Sequence, residues 1–341
     1  MGLDGSMTAA ERTRWGIVST GHIASVFARD LALLTDEADL VGVSSRTLER
    51  AESFVAEHGF ARAYGSVDEL AADPDIDAVY VASVHNDHVA SARACLDAGK
   101  AVLVEKPLTI TAAESESLIA LAGQRNAFLM EAVWTRTNPL IRKAVELVAS
   151  GEIGAVRHVQ VSFGFAFDGD PTHRLLDPAQ AGGAILDLGV YPVHGVDLFL
   201  GEPDGLTGFG TIGGTGVDTH AAALLTYDAV EDRPAATAAI ACSLETDLPT
   251  RLEVFGTAGS IVCENFILPA ELRLVKDRDS DPEVFVTQWP GQGYTFEAQE
   301  VMRCVRSGAS ESPLVPWAST LGTMRTLDRW QAAVRGARQG G

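Results

Sequence analysis

The chain has 341 residues, of which 46% are hydrophobic and 21% charged, and its formal net charge at pH 7 is −20. This length predicts about two domains, and we find no apolar run near the roughly 18 residues that a membrane span needs. The acidic balance argues against a nucleic-acid partner, which needs clustered Lys and Arg. The four cysteines are scattered without a C-x-x-C pair, which predicts a reducing cytoplasm and no disulfide scaffold or zinc site.

Residues 15–130 alternate short apolar runs with helical patterns. The predicted strands are WGIVS, DLVGVSS, IDAVYVAS, AVLVE and AFLMEA. Helices are predicted for IASVFARDLALL, LERAESFVAEHG, HVASARACLDAG and TAAESESLIALAGQ. Apolar strands that alternate with helices are typical of a doubly wound parallel sheet. We therefore predict an α/β Rossmann domain over residues 12–132.

The pattern changes after Trp134. A helical segment, PLIRKAVELVASG, precedes the period-two segment VRHVQVSFGFAF, and most of residues 219–289 is predicted as short strands. Two helical segments close the chain. This order predicts an α+β domain over residues 133–338 with an open, largely antiparallel sheet. One face of that sheet needs covering, so we also predict a homodimer formed through it.

The turn after the first strand, GIVSTGHIA, is a variant of the dinucleotide fingerprint G-x-G-x-x-G/A. It has Ser19 in place of the first glycine, followed by Gly21 and Ala24. An ordinary turn with glycines for packing is the alternative, but the strand–turn–helix context favours a cofactor loop. The predicted cofactor contacts of this loop are Ser19, Gly21, His22 and Ile23.

The end of the second strand, VSSRTLERA, has no acidic residue for the ribose of NAD. Ser45, Arg46 and Arg50 could instead bind the 2′-phosphate of NADP. The alternative is that both arginines only decorate a helix N-terminus, where a cation opposes the helix dipole. A bound anion removes that conflict, so we predict NADP, with NAD less favoured.

The fifth strand ends on Glu105-Lys106-Pro107. Ligands of open α/β sheets bind outside the C-terminal ends of the strands, which predicts that Lys106 faces the cofactor crevice rather than the core. A solvated turn lysine is the alternative interpretation.

VEKPL at such a strand end resembles the glucose–fructose oxidoreductase / inositol dehydrogenase (Gfo/Idh/MocA) family. RWGIVSTGHIA, AYGSVDELAADPDIDAVYVAS, FLMEAVWTR and AQAGGAILDLGVYPV are most similar to its dimeric dihydrodiol dehydrogenase and NADP-dependent D-xylose dehydrogenase branch. The resemblance covers residues 14–335. It implies a two-domain fold, NAD(P)-dependent oxidation of alcohols or sugars, and a lysine of the EKP motif near the nicotinamide.

The family also implies an acid and a proton donor in a D-x-x-x-H motif, which here is Asp187-Leu-Gly-Val-Tyr191. Tyrosine replaces histidine, as in the branch named above. A tyrosine with a pKa near 10 is a poor base, but a nearby ammonium lowers that pKa. We therefore interpret Tyr191 as the acid/base, Lys106 as the group that tunes it, and Asp187 as support.

Asp187, Tyr191 and His194 follow the i, i+4, i+7 spacing of one helix face. Pro192 interrupts a continuous helix, so we predict that the helix begins near Val190 with the proline in its first turn. A helix cap and a half-buried aromatic are the alternatives for Asp187 and Tyr191. His194 is predicted to be a packing residue.

The resemblance also supports cofactor contacts in SVHNDHV, which follows the fourth strand. The remaining candidates for the cofactor site are Ser83, His85, Asn86, His88, Glu105 and Lys106. Paired histidines could indicate a metal, but no cysteine or acid cluster completes such a site, so we predict none. Trp134 and Arg136, in AVWTR, are candidate substrate contacts with Asp187 and Tyr191.

Together these patterns predict a cytoplasmic NADP-dependent dehydrogenase. Its substrate would be a sugar, such as D-xylose or D-glucose, or a vicinal trans-diol. One alternative is a reductase that uses NADPH on a dicarbonyl or keto-sugar. Another is a redox-inactive, NADP-binding sensor with the same fold.

Overall fold

The computed structural model describes residues 12–170, 172–231, 234–276 and 281–337. They form two compact units: residues 12–109, 116–132 and 289–317 make the first, and residues 110–115, 133–288 and 318–337 make the second. The predicted domains, residues 12–132 and 133–338, stay a prediction; by its contacts, the segment 289–317 groups with the first unit. Residue 338, the predicted end of the second domain, lies outside the described residues.

A six-stranded parallel sheet forms the centre of the first unit. Its strands are β1 (Thr13–Val18), β2 (Ala38–Ser44), β3 (Arg62–Tyr64), β4 (Ala78–Val81), β5 (Ala101–Glu105) and β6 (Leu129–Ala132). The helices of this part of the chain are α1 (His22–Leu31), α2 (Leu48–His58), α3 (Val67–Ala71), α4 (His85–Asp97), α5 (Ala112–Arg125) and α9 (Thr295–Arg306).

The strand order is β3-β2-β1-β4-β5-β6, and every pairing is parallel. This is the doubly wound order, in which ligands bind at the C-terminal edge where β1 meets β4. Ile17, Val79 and Val102, from the central strands, are fully buried, as a sheet covered on both faces requires. The predicted Rossmann domain is confirmed.

The second unit is built on an eight-stranded sheet. Its strands are β7 (Val156–Gly164), β8 (Gly205–Ile212), β9 (Asp218–Tyr227), β10 (Ala236–Ser243), β11 (Leu248–Gly256), β12 (Ser260–Glu264), β13 (Glu271–Val275) and β14 (Glu283–Val286). The order is β14-β13-β12-β11-β7-β10-β9-β8, and only the β7–β10 pairing is parallel among these described strands. The predicted open, largely antiparallel sheet is confirmed.

Helices cover one face of this second sheet. They are α6 (Trp134–Thr137), α7 (Pro139–Ala149), α8 (Val190–Leu200) and α10 (Trp317–Ala337), with a π-helical turn at Ile185–Gly189. Val159, Val161 and Ile240 point into the buried core. On the opposite face Phe209 and Leu224 are 65% and 50% exposed, because alternate side chains of a strand point to opposite faces.

One segment corrects the expectation about membrane spans. Pro178–Leu200 is long and apolar enough to cross a membrane by length and composition, and 78% of its most apolar window is buried inside the protein. It contains the π-helical turn and α8, and Ile185, Val190 and Val196 belong to the core of the second unit. Such burial is typical of a core helix.

Candidate active site

The loop between β1 and α1 has the backbone of a dinucleotide loop. Ser19 has φ of 88°, the positive value that the first glycine of the fingerprint normally supplies. Strain of this kind in a residue other than glycine is typical of functional turns. Gly21 is the N-cap of α1 and provides no side-chain cap, so the first N–H groups of the helix are available to an anion.

A cavity of about 520 Å³ lies along the C-terminal ends of β1, β2 and β4. Ser19, Gly21 and Ser45 line it, together with Arg46 and Arg50. Both arginines are exposed, and neither forms an ion pair with any carboxylate in the described part of the chain. A cavity with two available guanidinium groups at the end of β2 suits a phosphate.

The Ser83 hydroxyl gives a second indication of a ligand. Ser83 lines the same cavity, and its buried oxygen has no hydrogen-bond partner among the described residues. A cofactor hydroxyl would satisfy it. A β-carbon added to Gly21 would meet only the Ser19 hydroxyl, at 3.7 Å, so the loop leaves open space there. The residues of the first unit therefore fit a dinucleotide.

The other predicted cofactor contacts lie in several places. His22 and Ile23 are the first residues of α1, and Asn86 is exposed in the first turn of α4. His85 and His88 are buried, with ring centroids 5.6 Å apart. These residues do not line the cavity, and their contacts with a cofactor stay predictions. No group of three or more His, Cys, Asp or Glu among the described residues could hold a metal ion.

Lys106 directly follows β5, at the C-terminal edge of the sheet, and is half-buried. The Glu105 carboxylate accepts hydrogen bonds from the Tyr80 hydroxyl and, at 3.2 Å, from the Lys106 backbone N–H. Burial, and then the charge of Glu105, raise the pKa of Tyr80 well above its usual value. Tyr80 therefore stays protonated and remains the donor.

Asp187 and Tyr191 lie one helical turn apart in the second unit. Asp187 is in the π-helical turn and is 5% exposed, while Tyr191 is half-buried in the first turn of α8. The Tyr191 ring meets Phe163 edge-on, with centroids 5.8 Å apart. The α-helical part begins at Val190 as predicted, but it continues the π-helical turn at Ile185–Gly189 without a break, so the helical run itself begins earlier.

Asp218 fixes the start of this segment. Its Oδ2 accepts the Ile185 backbone N–H at 2.6 Å. Gly183 has φ of 130°, and a β-carbon there would lie 2.7 Å from Oδ1 of Asp218. Only glycine lets the chain approach this carboxylate so closely, which explains why the Gly-rich stretch precedes the helix.

Sequence reasoning missed Arg174. It lies in a short 3₁₀ turn, is about half exposed, and its Nη1 is 2.9 Å from Oδ1 of Asp187. A loop residue far from any periodic pattern carries no sequence signal for such a contact. The structure nevertheless places a cation directly on the predicted supporting acid.

The candidate substrate residues Trp134 and Arg136 are in α6. Trp134 is half-buried against the core of the second unit. Arg136 Nη1 lies 2.8 Å from Asp197 Oδ2 and 3.4 Å from Nδ1 of His194. His194 is 1% exposed and also contacts Thr323, as a packing histidine would. Arg136 thus anchors α8, and its contact with substrate stays a prediction.

Comparisons with known proteins agree with this architecture. Residues 13–133 match the oxidoreductase family with an NAD-binding Rossmann fold, and residues 141–262 match the GFO/IDH/MocA C-terminal domain. The chain is 37% identical over 318 residues to trans-1,2-dihydrobenzene-1,2-diol dehydrogenase of Mus musculus, covering 90% of this chain and 92% of the relative.

Two solved structures share the fold along almost the whole chain. A 3-ketoreductase from Actinomadura kijaniata, in complex with NADP and TDP-benzene, has a TM-score of 0.78 and 26% identity over 95% of this chain and 97% of its own. A levoglucosan dehydrogenase in complex with NADH and levoglucosan has a TM-score of 0.84 and 18% identity, over 95% and 98%. The chain belongs to the Gfo/Idh/MocA family of NAD(P)-dependent oxidoreductases.

Proposed function

We propose that this protein is a cytoplasmic NADP-dependent dehydrogenase that oxidises an aldose, such as D-xylose or D-glucose, or a vicinal trans-diol. The main observation that supports this proposal is the pair of exposed guanidinium groups, Arg46 and Arg50, in the dinucleotide cavity. The similarity to a dihydrodiol dehydrogenase over 90% of the chain supports a diol-like substrate. The levoglucosan dehydrogenase shares only the fold and is compatible with a sugar.

The residues of the chain divide the work of binding and proton transfer. Ser19, Gly21 and the N-terminus of α1 would hold the pyrophosphate, and Arg46 and Arg50 the 2′-phosphate. When bound, the nicotinamide supplies a hydride acceptor at C4. The hydroxyl of the carbinol loses its proton as the C–H bond gives up the hydride, and a C=O bond forms.

We assign that proton to Tyr191, as the acid/base. Lys106 favours the phenolate form of Tyr191, and Asp187 orients substrate hydroxyls. Arg174 forms an ion pair with Asp187 and so fixes the direction of that carboxylate. The assignment rests on the Asp187-x-x-x-Tyr191 motif and on the chemistry of these groups.

A cofactor-reduction assay tests this function. Purified protein is mixed with NADP or NAD and with D-xylose, D-glucose, L-arabinose, inositol or a trans-dihydrodiol, and reduced nicotinamide is followed by absorbance. Turnover with NADP on a sugar or diol is expected. Turnover only in the reverse direction, with NADPH and a keto-sugar or dicarbonyl, would favour the reductase. NADP binding without turnover in either direction would favour the sensor.

The cofactor preference gives a separate prediction. Arg46→Ala combined with Arg50→Ala should raise KM for NADP by about 100-fold and leave KM for NAD within about 3-fold, because each charged hydrogen bond to phosphate contributes roughly 1.5–3 kcal/mol. Arg29→Ala, on the exposed face of α1, is the matched control. Equal losses with both cofactors would contradict the assignment.

We further propose a homodimer formed through the uncovered face of the second sheet. A shallow depression of about 530 Å³ on this face is lined by residues of β7, β8, β9 and β10, including Phe209 and Leu224. Exposed apolar patches of this kind mark interaction surfaces. Light scattering at micromolar concentration should give a dimer, and Phe209→Asp with Leu224→Asp should give a monomer. A wild-type monomer would refute this proposal.

A further inference from the structure

Three residues of the turn that carries Lys106 are hydrogen-bonded to buried side chains: Glu105, Pro107 and Leu108. The first of these side chains is Tyr80, on the neighbouring strand β4, whose hydroxyl donates to Glu105 Oε1. Oε2 of the same carboxylate accepts the backbone N–H of Lys106 at 3.2 Å. Tyr80 is fully buried, and its ring stacks on Phe27 with centroids 4.0 Å apart. Packing therefore fixes the Tyr80 hydroxyl, and the hydroxyl fixes Glu105.

The second contact comes from helix α4. His88 is 0% exposed, and its Nδ1 lies 3.0 Å from the carbonyl oxygen of Pro107. Its Nε2 lies 3.1 Å from the carbonyl oxygen of Ser83, the residue that lines the cofactor cavity. Burial lowers the pKa of His88, so the neutral ring donates its one N–H to one of these two carbonyls. His88 therefore lies between the loop after β4 and the turn after β5, with one ring nitrogen facing each of them.

The third contact comes from the other neighbouring strand. Glu131, on β6, is 1% exposed, and its Oε1 accepts the Leu108 backbone N–H at 3.0 Å. β5 pairs with β4 on one side and β6 on the other, with Leu103 opposite both Tyr80 and Met130. The turn is thus held from both sides of its own strand.

We propose that Tyr80, His88 and Glu131 act as positioning residues that fix the place and orientation of Lys106 for the reaction. We call these three the lysine clamp. This proposal rests on the proposed function, in which Lys106 acts next to the substrate. Tyr80 and Glu131 are assigned no contact with substrate or cofactor. His88 was predicted to contact the cofactor, but it is fully buried and does not line the cavity, so we assign it a positioning role instead. Each of the three acts through Glu105 or through the backbone on either side of Lys106.

Burying three polar side chains beside one turn costs free energy of folding. That cost is explained if the three side chains place the turn precisely. Closing a turn does not by itself require a tyrosine, a histidine and a glutamate, and apolar side chains would fill the same volume but take these partners away from the Leu108 N–H and the Glu105 carboxylate. Catalysis is sensitive to such placement, since a displacement of about 1 Å at a reacting group can cost about 100-fold in rate. The need to hold the backbone of a flexible lysine in place explains why Tyr80, His88 and Glu131 all contact this turn.

The experiment compares variants that remove one contact with variants that keep it. Tyr80→Phe removes only the hydroxyl, and Glu131→Leu removes the acceptor, whereas Glu131→Gln keeps a carbonyl oxygen for the Leu108 N–H. We expect kcat to fall at least about 10-fold in the first two and to stay within about 3-fold in the third. The Kd for NADP should change by less than about 2-fold in all three.

A second readout follows Lys106 without requiring turnover. The chain has four lysines, Lys100, Lys106, Lys143 and Lys276, so reductive ¹³C-methylation gives few NMR signals, and Lys106→Arg assigns the relevant one. Tyr80→Phe and Glu131→Leu should shift or broaden the Lys106 signal and leave the others in place. If the wild-type protein turned over no substrate in the panel, this signal would still test the lysine clamp.

Tyr64→Phe is the matched control, because the Tyr64 hydroxyl also donates to a carboxylate, Asp73, in the same unit. It should leave kcat and the Lys106 signal unchanged. An unchanged Lys106 signal in folded Tyr80→Phe and Glu131→Leu would overturn the proposal. The proposal would also be overturned if activity fell only in proportion to the fraction of folded protein and all four lysine signals changed alike.

Discussion

Replacing Lys106 with methionine should lower kcat by about 10²- to 10⁴-fold while NADP still binds. Methionine has nearly the length and volume of the lysine stem but no ammonium. The proposed function assigns this ammonium to stabilise the Tyr191 phenolate, and Tyr191→Phe should cause a loss of similar size. Steady-state kinetics with the substrate found in the panel, together with a direct NADP titration, measures both.

The pH profile distinguishes an electrostatic effect of Lys106 on Tyr191 from a loss of activity caused by altered packing. An ammonium that favours the phenolate lowers the pKa of Tyr191, so removing it should move the rising limb of kcat/KM toward pH 10. The double variant Lys106→Met/Tyr191→Phe should be little slower than either single variant, because residues that act as a unit are not additive. Lys143→Met, at an exposed ion pair with Glu146, is the control. Fully additive losses and an unmoved pH profile would contradict the assignment.

The regular part of the fold could be predicted because local patterns determine it. The apolar runs of β1, β4 and β5 are long enough to indicate buried parallel strands, and the strand-end rule places Lys106 correctly at the edge of the sheet. The weak elements were missed. β3 and α3 contain only 3 and 5 residues, and β8 contains three glycines, which remove the alternation that marks a strand.

Tertiary arrangement explains the other differences. The sequence indicates that α9 is a helix, but local periodicity carries no information about which unit it joins. In the structure the Asp30 carboxylate accepts the backbone N–H groups of Gln292 and Tyr294, which brings this segment to α1. His88 has the same kind of explanation: its position after β4 was predictable, but the direction of its side chain, toward the Pro107 carbonyl, depends on packing.

The site of the second unit could be predicted only where a motif marks it. Asp187 and Tyr191 are recognisable from their spacing, and Pro192 lies in the first turn of α8 as predicted, but it does not interrupt the helical run that includes the π-helical turn. Arg174 is not recognisable, because an ion pair between a loop and a helix depends on the path of the loop. The π-helical turn before α8 likewise departs from the 3.6-residue period on which sequence analysis rests.

Glu297 shows how the burial of α9 affects stability. Its side chain is 0% exposed, and neither carboxylate oxygen has a hydrogen-bond partner among the described residues. Burial first, and then the charges of Glu105 and Asp30, raise the pKa of Glu297 well above its usual value of 4.5. The folded protein therefore keeps a proton on Glu297 that the unfolded chain releases above about pH 4.5.

Glu297→Gln should consequently stabilise the protein at neutral pH. For a group whose pKa is raised by folding, stability is fully present below the unfolded pKa and falls as pH rises toward the folded pKa. Glutamine keeps the shape and removes this proton linkage. The gain in free energy of unfolding should grow from pH 5.5 to pH 7 by up to about 1.4 kcal/mol per pH unit, which is the linkage of one proton. It should reach at most roughly 3 kcal/mol at pH 7.

Urea denaturation between pH 5.5 and 8.5 measures this gain, with Glu116→Gln on the exposed face of α5 as the control that should show no pH-dependent difference. A Glu297→Gln protein that is less stable than the wild type at every pH would mean that the native carboxylate is charged and paired. The experiment also tests the surroundings of Lys106, because Glu105, the residue before Lys106, is one of the charges that raise the pKa of Glu297. The charges of Glu297 and Glu105 disfavour each other, so a proton on Glu297 removes a repulsion next to the carboxyl group that accepts the Tyr80 hydroxyl and the Lys106 N–H.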